Sequence, residues 1–285
     1  MNKTVTVRLQ KVRRNNIKIR LYVFAALVIL LLLVTLFAEQ LAPYDPYAQN
    51  MDGALSPPSS MHIMGTDRHG RDMFSRVLVG GQTSIFATLA LVAIISIFGT
   101  IVGTLCGFYG GKVDSVVMRI SDVCLAFPGL VFAMAVAALL NQGISSAVLA
   151  LAVISWPKYS RVARSQTLAI KDGPYISAAR LAGNTSMQII VRHILPNILG
   201  PILVTAMLDI GTMMMELAGL SFLGLGAQPP TAEWGNMMSS GRSMLQIYPW
   251  TVLSPGIGIF ISVVLFNLLG DTVRDYMDPR NSRSR

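Results

Sequence analysis

The chain alternates long uncharged stretches with short charged ones. Residues 21–38 run for eighteen positions without a charge, about 27 Å as a helix and close to a hydrocarbon core of about 30 Å. Thirteen of them are Leu, Ile, Val or Phe, and each favours insertion by roughly 0.3 to 0.6 kcal/mol at the membrane centre. Glu39-Gln40-Leu41 follows the run, where a secretory signal would carry a small-residue cleavage site after a shorter apolar core. The pattern predicts a retained anchor. Further spans are predicted at 84–107, 123–140, 143–157, 198–227 and 249–270. The fourth is short and can continue as helix past Lys158, whose ammonium can snorkel to the interface. The reading is an all-α integral membrane protein with six transmembrane helices.

Charge sets the orientation. With the amino terminus inside, segments 1–20, 111–122, 157–195 and 271–285 hold 19 of the 23 Lys and Arg residues. The outer segments 39–83 and 221–248 hold four, together with six acids. Both termini are therefore expected in the cytoplasm. The expected organisation is a basic tail over 1–20, a first transmembrane helix over 21–38 and an external loop over 39–83. A five-helix core over 84–270 follows, containing a cytoplasmic loop at 158–196, and a cytoplasmic tail occupies 271–285.

Composition agrees. Hydrophobic residues make up 53% and charged residues 13%, about half the charge of a soluble domain. A soluble enzyme and a disordered chain are both excluded. The formal net charge of +9 is explained by the cytoplasmic cations, and no nucleic-acid partner is expected. The tail from Lys3 to Arg20 carries seven cations and no acid, which suits topogenesis and anionic headgroups.

Chemistry is sparse. Gly107-Phe-Tyr-Gly-Gly-Lys112-Val113 has the wrong glycine spacing for a P-loop and lacks the Ser or Thr that would hold magnesium. His62, His69 and His193 are scattered, the two cysteines, Cys106 and Cys124, build no ligand set, and no metal site is expected. No catalytic constellation emerges, so the chain is read as a non-enzyme.

The 158–196 loop has more order than a linker needs. Residues 175–181 are predicted as one helix ended by Gly183, and 187–194 as a second closed before Pro196. Ser177-Ala178-Ala179, Gly183, then His193-Ile194-Leu195-Pro196 resembles the coupling-loop signature of binding-protein-dependent ABC permeases. Ser177 stands where that signature has an acid and His193 where it has isoleucine. His62 to Asp72, with Gly65-Thr66-Asp67-Arg68-His69-Gly70-Arg71, is similar to the external segment of C-type permeases of the peptide and nickel importers. Ser221 to Gly226, Pro229-Pro230, Trp234-Gly235, Phe266 to Asp271, Arg274-Asp275 and Asp278-Pro279 extend that resemblance.

The resemblance implies a type I importer permease fold in the bacterial cytoplasmic membrane. It implies a second homologous permease, two ATPase subunits carrying ATP and Mg, and an extracytoplasmic substrate-binding protein. No cofactor is expected in this chain. The coupling residues carried over are Ser177, Ala178, Ala179, Gly183, His193, Leu195 and Pro196.

Asp209 and Glu216 lie seven residues apart and share a helical face. Carboxylates at that depth are costly, so they line the path or meet a partner. With Met213 they are the candidate translocation residues. Met213, Met214 and Met215 point in different directions, so they read as adaptable packing rather than a metal cluster. The charges of 65–72 read as internal salt bridges in preference to a substrate scoop. Gly99, Gly103 and Gly107 form a one-faced stripe for close helix contact. The likeness around 208–219 and 230–235 leans to nickel, as a chelate, over di- or oligopeptides. A self-contained ion-coupled transporter using Asp209 and Glu216 is the rival from another class.

Overall fold

The computed structural model describes residues 3–277, with side chains from residue 16 onward. The cations before Asn16 and the Asp278-Pro279 pair lie outside the described side chains. The helices are α1 (Lys3–Leu36), α2 (Met73–Tyr109), α3 (Gly111–Ala126), α4 (Gly129–Leu139) and α5 (Ile144–Ile170). They continue with α6 (Pro174–Leu181), α7 (Ser186–Phe222), α8 (Trp234–Gly241) and α9 (Trp250–Met277). Among the described residues there is no strand, only one antiparallel bridge between Thr66 and Asp72.

All six apolar stretches contain helix, and the one predicted to run to Ala227 ends at Phe222. Asn16–Leu36 of α1, together with α2, α7 and α9, is long and apolar enough to cross a membrane alone, and α3 with α4 makes a fifth crossing if counted as one. The predicted single helix over 123–140 is corrected here, because α3 and α4 meet at a 98° bend. Pro128 is the cause: it lacks an N–H and drives the preceding residue out of the helical region, and Phe127 is extended at φ −93°, ψ 147°. The remaining stretch is the apolar first half of α5, which runs on through Pro157 and carries Lys158, Arg161 and Arg164 in its second half.

Several helices outrun their predicted bounds, α1 beginning at Lys3 and α9 running on to Met277. α2 starts at Met73 because Asp72 caps it, its carboxylate accepting from the Ser75 amide at 2.7 Å. At 37 residues it is about 55 Å long and projects beyond the bilayer. α7 passes through Pro196 without closing, which corrects the predicted stop. A π turn over Ile190–Ile194 precedes it, and Pro196 falls in the first α-helical turn, where a missing N–H leaves nothing unpaired.

The glycine stripe joins α2 to α5. A Cβ at Gly99 would lie 2.5 Å from the Trp156 carbonyl oxygen, and one at Gly103 would lie 2.1 Å from that of Ser160. At Gly107 the nearest atom would be the Thr167 Cβ at 2.9 Å. With lipid as apolar as the helices themselves, such backbone approach supplies the packing attraction that hydrophobic burial cannot.

Around this pair, α7 packs on α9, and α8 is inserted between them. Trp234 anchors that insertion. Its Nε1 donates to the Val77 carbonyl at 2.9 Å, and its ring occupies the space that side chains at Gly81 and Gly258 would need. The α1 helix lies at the edge, with Val23, Leu27, Leu30 and Leu33 exposed along it.

Candidate functional site

Three polar regions interrupt the apolar bundle. The first is the outer segment before α2. Asp67 accepts from Arg71 Nε at 2.7 Å and from the backbone amides of His69 and Arg71, while Arg76 Nε stands 3.7 Å away. Asp72 bonds His62 Nδ1 at 2.9 Å and both the amide and hydroxyl of Ser75. These charges face inward, as the internal salt-bridge reading expected; Arg68 alone of the group is exposed. Gly65 and Gly70 both have φ +70°, and a Cβ at Gly70 would strike the Asn50 carbonyl at 1.6 Å. Burial, then the Arg71 guanidinium, lowers the His69 pKa below its ordinary value.

Glu233 closes the same side. It is buried without a cation partner among the described residues, accepting from Ser84 Oγ at 3.1 Å and from the amides of Gly235 and Asn236 at 2.9 and 2.8 Å. Burial pushes its carboxyl above the ordinary glutamate range, against the pull of those two N–H groups. Sequence reading gave Glu233 no role; in the structure it is the N-cap of α8.

The second region is the expected coupling segment. Pro174 opens α6, and Gly183 ends it at φ +82° in open space, with its amide donating to the Arg180 carbonyl at 3.0 Å. Thr185 and Gln188 then form a reciprocal cap at the start of α7. Of the seven residues carried over, Ser177, Ala178, Gly183 and Pro196 are exposed, Ala179 is buried, and His193 and Leu195 are half-buried. One of the two residues that depart from the signature has a structural use: His193 Nδ1 lies 2.7 Å from the Tyr175 hydroxyl, tying α7 to α6. Leu181 is 89% exposed, and Tyr175, Met187 and Val191 of the same segment are exposed as well. Lys171 holds this segment to the end of α2 through the Gly107 carbonyl at 3.0 Å.

The third region lies inside the bundle. Asp209 of α7 is 1% exposed, and it accepts from Lys158 Nζ at 2.6 Å and from the Tyr159 hydroxyl at 3.0 Å. Lys158 therefore reaches a carboxylate rather than the interface its sequence position predicted. Met213 is buried and Glu216 half-buried on the same helix. Two further pairs were missed from sequence: Arg164 grips Asp114 through Nε and Nη2, each at 2.6 Å, and Arg161 pairs with Asp122. They bind α3 to α5 using cations that the charge pattern assigned to orientation alone. An apolar hollow of about 600 Å³ opens between α7, α8 and α9, lined by Met215, Gly219, Phe222, Met238 and Phe260 among others. Among the described residues, no group of three His, Cys, Asp or Glu side chains gathers at one point.

Residues 99–283 match the family described as binding-protein-dependent transport system inner membrane component. This chain belongs to that family. It is a permease subunit of an ABC importer, a multi-pass protein of the cell membrane, and ATP hydrolysis resides on separate ATPase subunits. The permease is 44% identical over 256 residues to the probable D,D-dipeptide transport system permease protein DdpC of Escherichia coli, covering 90% of this chain and 86% of that one. It is 44% identical over 259 residues to the glutathione transport system permease protein GsiD of Shigella sonnei, covering 90% and 85%.

Among solved structures, the permease resembles a chain of the inward-facing MetNI methionine ABC transporter, with TM-score 0.59 and 21% identity over 72% of this chain and 98% of that one. An amino acid ABC transporter with histidines gives TM-score 0.54 and 21% identity over 70% and 94%. At that identity the likeness carries the fold, which is the expected type I importer permease. The ion-coupled rival gives way to the family assignment.

Proposed function

We propose that this permease carries short peptides, in place of the nickel toward which its residues leaned. What supports this is the likeness, over 90% of the chain, to permeases named for D,D-dipeptides and for glutathione. Nickel finds no such support among the named relatives. In this reading the chain forms half of a path, pairs with a second permease, receives cargo from an extracytoplasmic binding protein, and rests on two ATPases. The α6 helix and the turn at Gly183 form the docking element, with Ser177, Ala178 and Leu181 facing the ATPase and Ala179, His193, Leu195 and Pro196 shaping the support behind. Asp209, Met213 and Glu216 belong to the path and its scaffold. ATP binding can bias the permease only through contacts that differ between its two states, and an exposed element tied to α2 and α7 is suited to that.

The experiment is reconstitution of the importer with its binding protein in liposomes, followed by ATP hydrolysis with an alanyl dipeptide or Ni(II). The dipeptide is expected to stimulate and Ni(II) to leave the rate near basal. The opposite ranking overturns the cargo and leaves the importer.

A further inference from the structure

We infer that Glu216 is a receptor for the ammonium group of the passing peptide, with the apolar hollow beside it taking the peptide's side chains. The inference rests on the peptide reading above.

The argument begins with charge. Lys158 and Asp209 pair where α5 faces α7, and Glu216 lies about two helical turns further along α7. Asp209 is enclosed and has a partner on each oxygen, Lys158 on Oδ1 and the Tyr159 hydroxyl on Oδ2. The ion pair of Lys158 is therefore made with Asp209. Glu216 lies within electrostatic reach of both Lys158 and Asp209, yet its carboxylate makes no hydrogen bond or ion pair among the described residues. The three side chains comprise two carboxyl groups and one ammonium. An ionisable group inside a span is costly unless it faces water, a partner or a cargo.

Position adds the second observation. Thr212 and Met215 are exposed, so Glu216 sits at the edge of the open face of α7 rather than in its core. Met215, its neighbour in the chain, and Gly219, one turn on, line the hollow of about 600 Å³. That volume falls within the roughly 300 to 1,000 Å³ of small-molecule sites. A carboxylate without a hydrogen bond or ion pair among the described residues, whose chain neighbours Met215 and Gly219 line an apolar hollow, complements a short peptide: the free amino terminus is a cation, and the side chains prefer the hollow. A strongly hydrated divalent metal ion would gain nothing from Met, Gly and Phe walls.

The test uses the complete importer in liposomes with an alanyl dipeptide as probe. Glu216→Gln is expected to lower uptake about tenfold, the cost of one charge-assisted contact, while Glu216→Asp retains at least about half and both variants still co-purify with the second permease. In a Cys106→Ser, Cys124→Ser background, Glu216→Cys is expected to react with a cationic water-soluble thiol reagent, and dipeptide with ATP is expected to slow that reaction. A thiol that never reacts, or reacts at a rate the dipeptide leaves unchanged, overturns the inference. Loss of the second permease from the Glu216→Gln complex also overturns it, by making Glu216 a subunit contact. No dipeptide uptake by the unaltered importer removes the cargo assignment itself, a result read before any variant is made.

Discussion

Lys158 Nζ and Asp209 Oδ1 lie 2.6 Å apart across 51 residues of sequence, joining α5 to α7 at the level of Pro157. Asp209 is 1% exposed and Lys158 52% exposed, so the carboxylate bears most of the desolvation. Removing its cation leaves a buried charge with the Tyr159 hydroxyl as its one remaining hydrogen-bond donor among the described residues.

Lys158→Met is therefore expected to destabilise the permease by about 2 kcal/mol, below the roughly 3 to 5 kcal/mol of fully enclosed pairs because the lysine is half in solvent. Adding Asp209→Leu should restore most of the loss, since no unpaired charge then remains. Thermal unfolding of the purified complex measures both. Equal midpoints for the single and double variants would show that the two residues are not coupled.

Gly103→Ala should cost about 1 to 3 kcal/mol through overpacking, because its Cβ would sit 2.1 Å from a backbone oxygen of α5. Gly129→Ala meets nothing within 4 Å and is expected to stay within about 0.5 kcal/mol. Yield and melting midpoint of the two variants, compared side by side, check the claim that the stripe seats α2 on α5.

Glu233 gives the permease a pH dependence of defined sign. Its carboxyl titrates near 4.5 when solvated and above that when folded. Between those two values the folded state holds more proton than the unfolded one, so stability falls as pH rises through the window and levels off above it. Glu233→Gln removes that slope. Melting midpoints across about pH 4 to 8 should show the wild type losing ground to the variant as pH rises; parallel curves would contradict the raised value.

Leu181→Glu places a charge on the most exposed apolar side chain of the docking element, at 89% exposure. Its effect on the stability of the isolated permease should be under about 0.5 kcal/mol, as for other surface changes. Cargo-stimulated ATP hydrolysis in the assembled importer should fall severalfold. Unchanged stimulation would place the ATPase contact elsewhere on the 158–196 segment.

Much of the architecture was legible because it is written in contiguous residues. An uncharged run of about twenty residues spans a bilayer whatever surrounds it, which is why 21–38 and 249–270 are helical as expected. The i, i+4 glycines announced a close helix contact, and Gly183 announced the end of α6. The inward turn of Asp67 and Arg71 followed from their spacing in one short segment. Cargo was less legible, since the likeness of a few residues near 208–219 and 230–235 weighs less than 44% identity over 256 positions.

Tertiary structure settled what depends on distant partners. Residues 123–140 have the composition of one span, yet their path turns by 98° at Pro128. Pro196 reads locally as a stop, but the π turn before it lets the helix continue. Asp114, Asp122 and Asp209 are lone acids along the chain, and their pairing with Arg164, Arg161 and Lys158 exists only because α5 packs against both α3 and α7. Apolar length and turn chemistry act over neighbouring residues, so sequence carries them. A charge finds its partner through the packing of backbones about fifty positions apart, and there the three-dimensional fold decides.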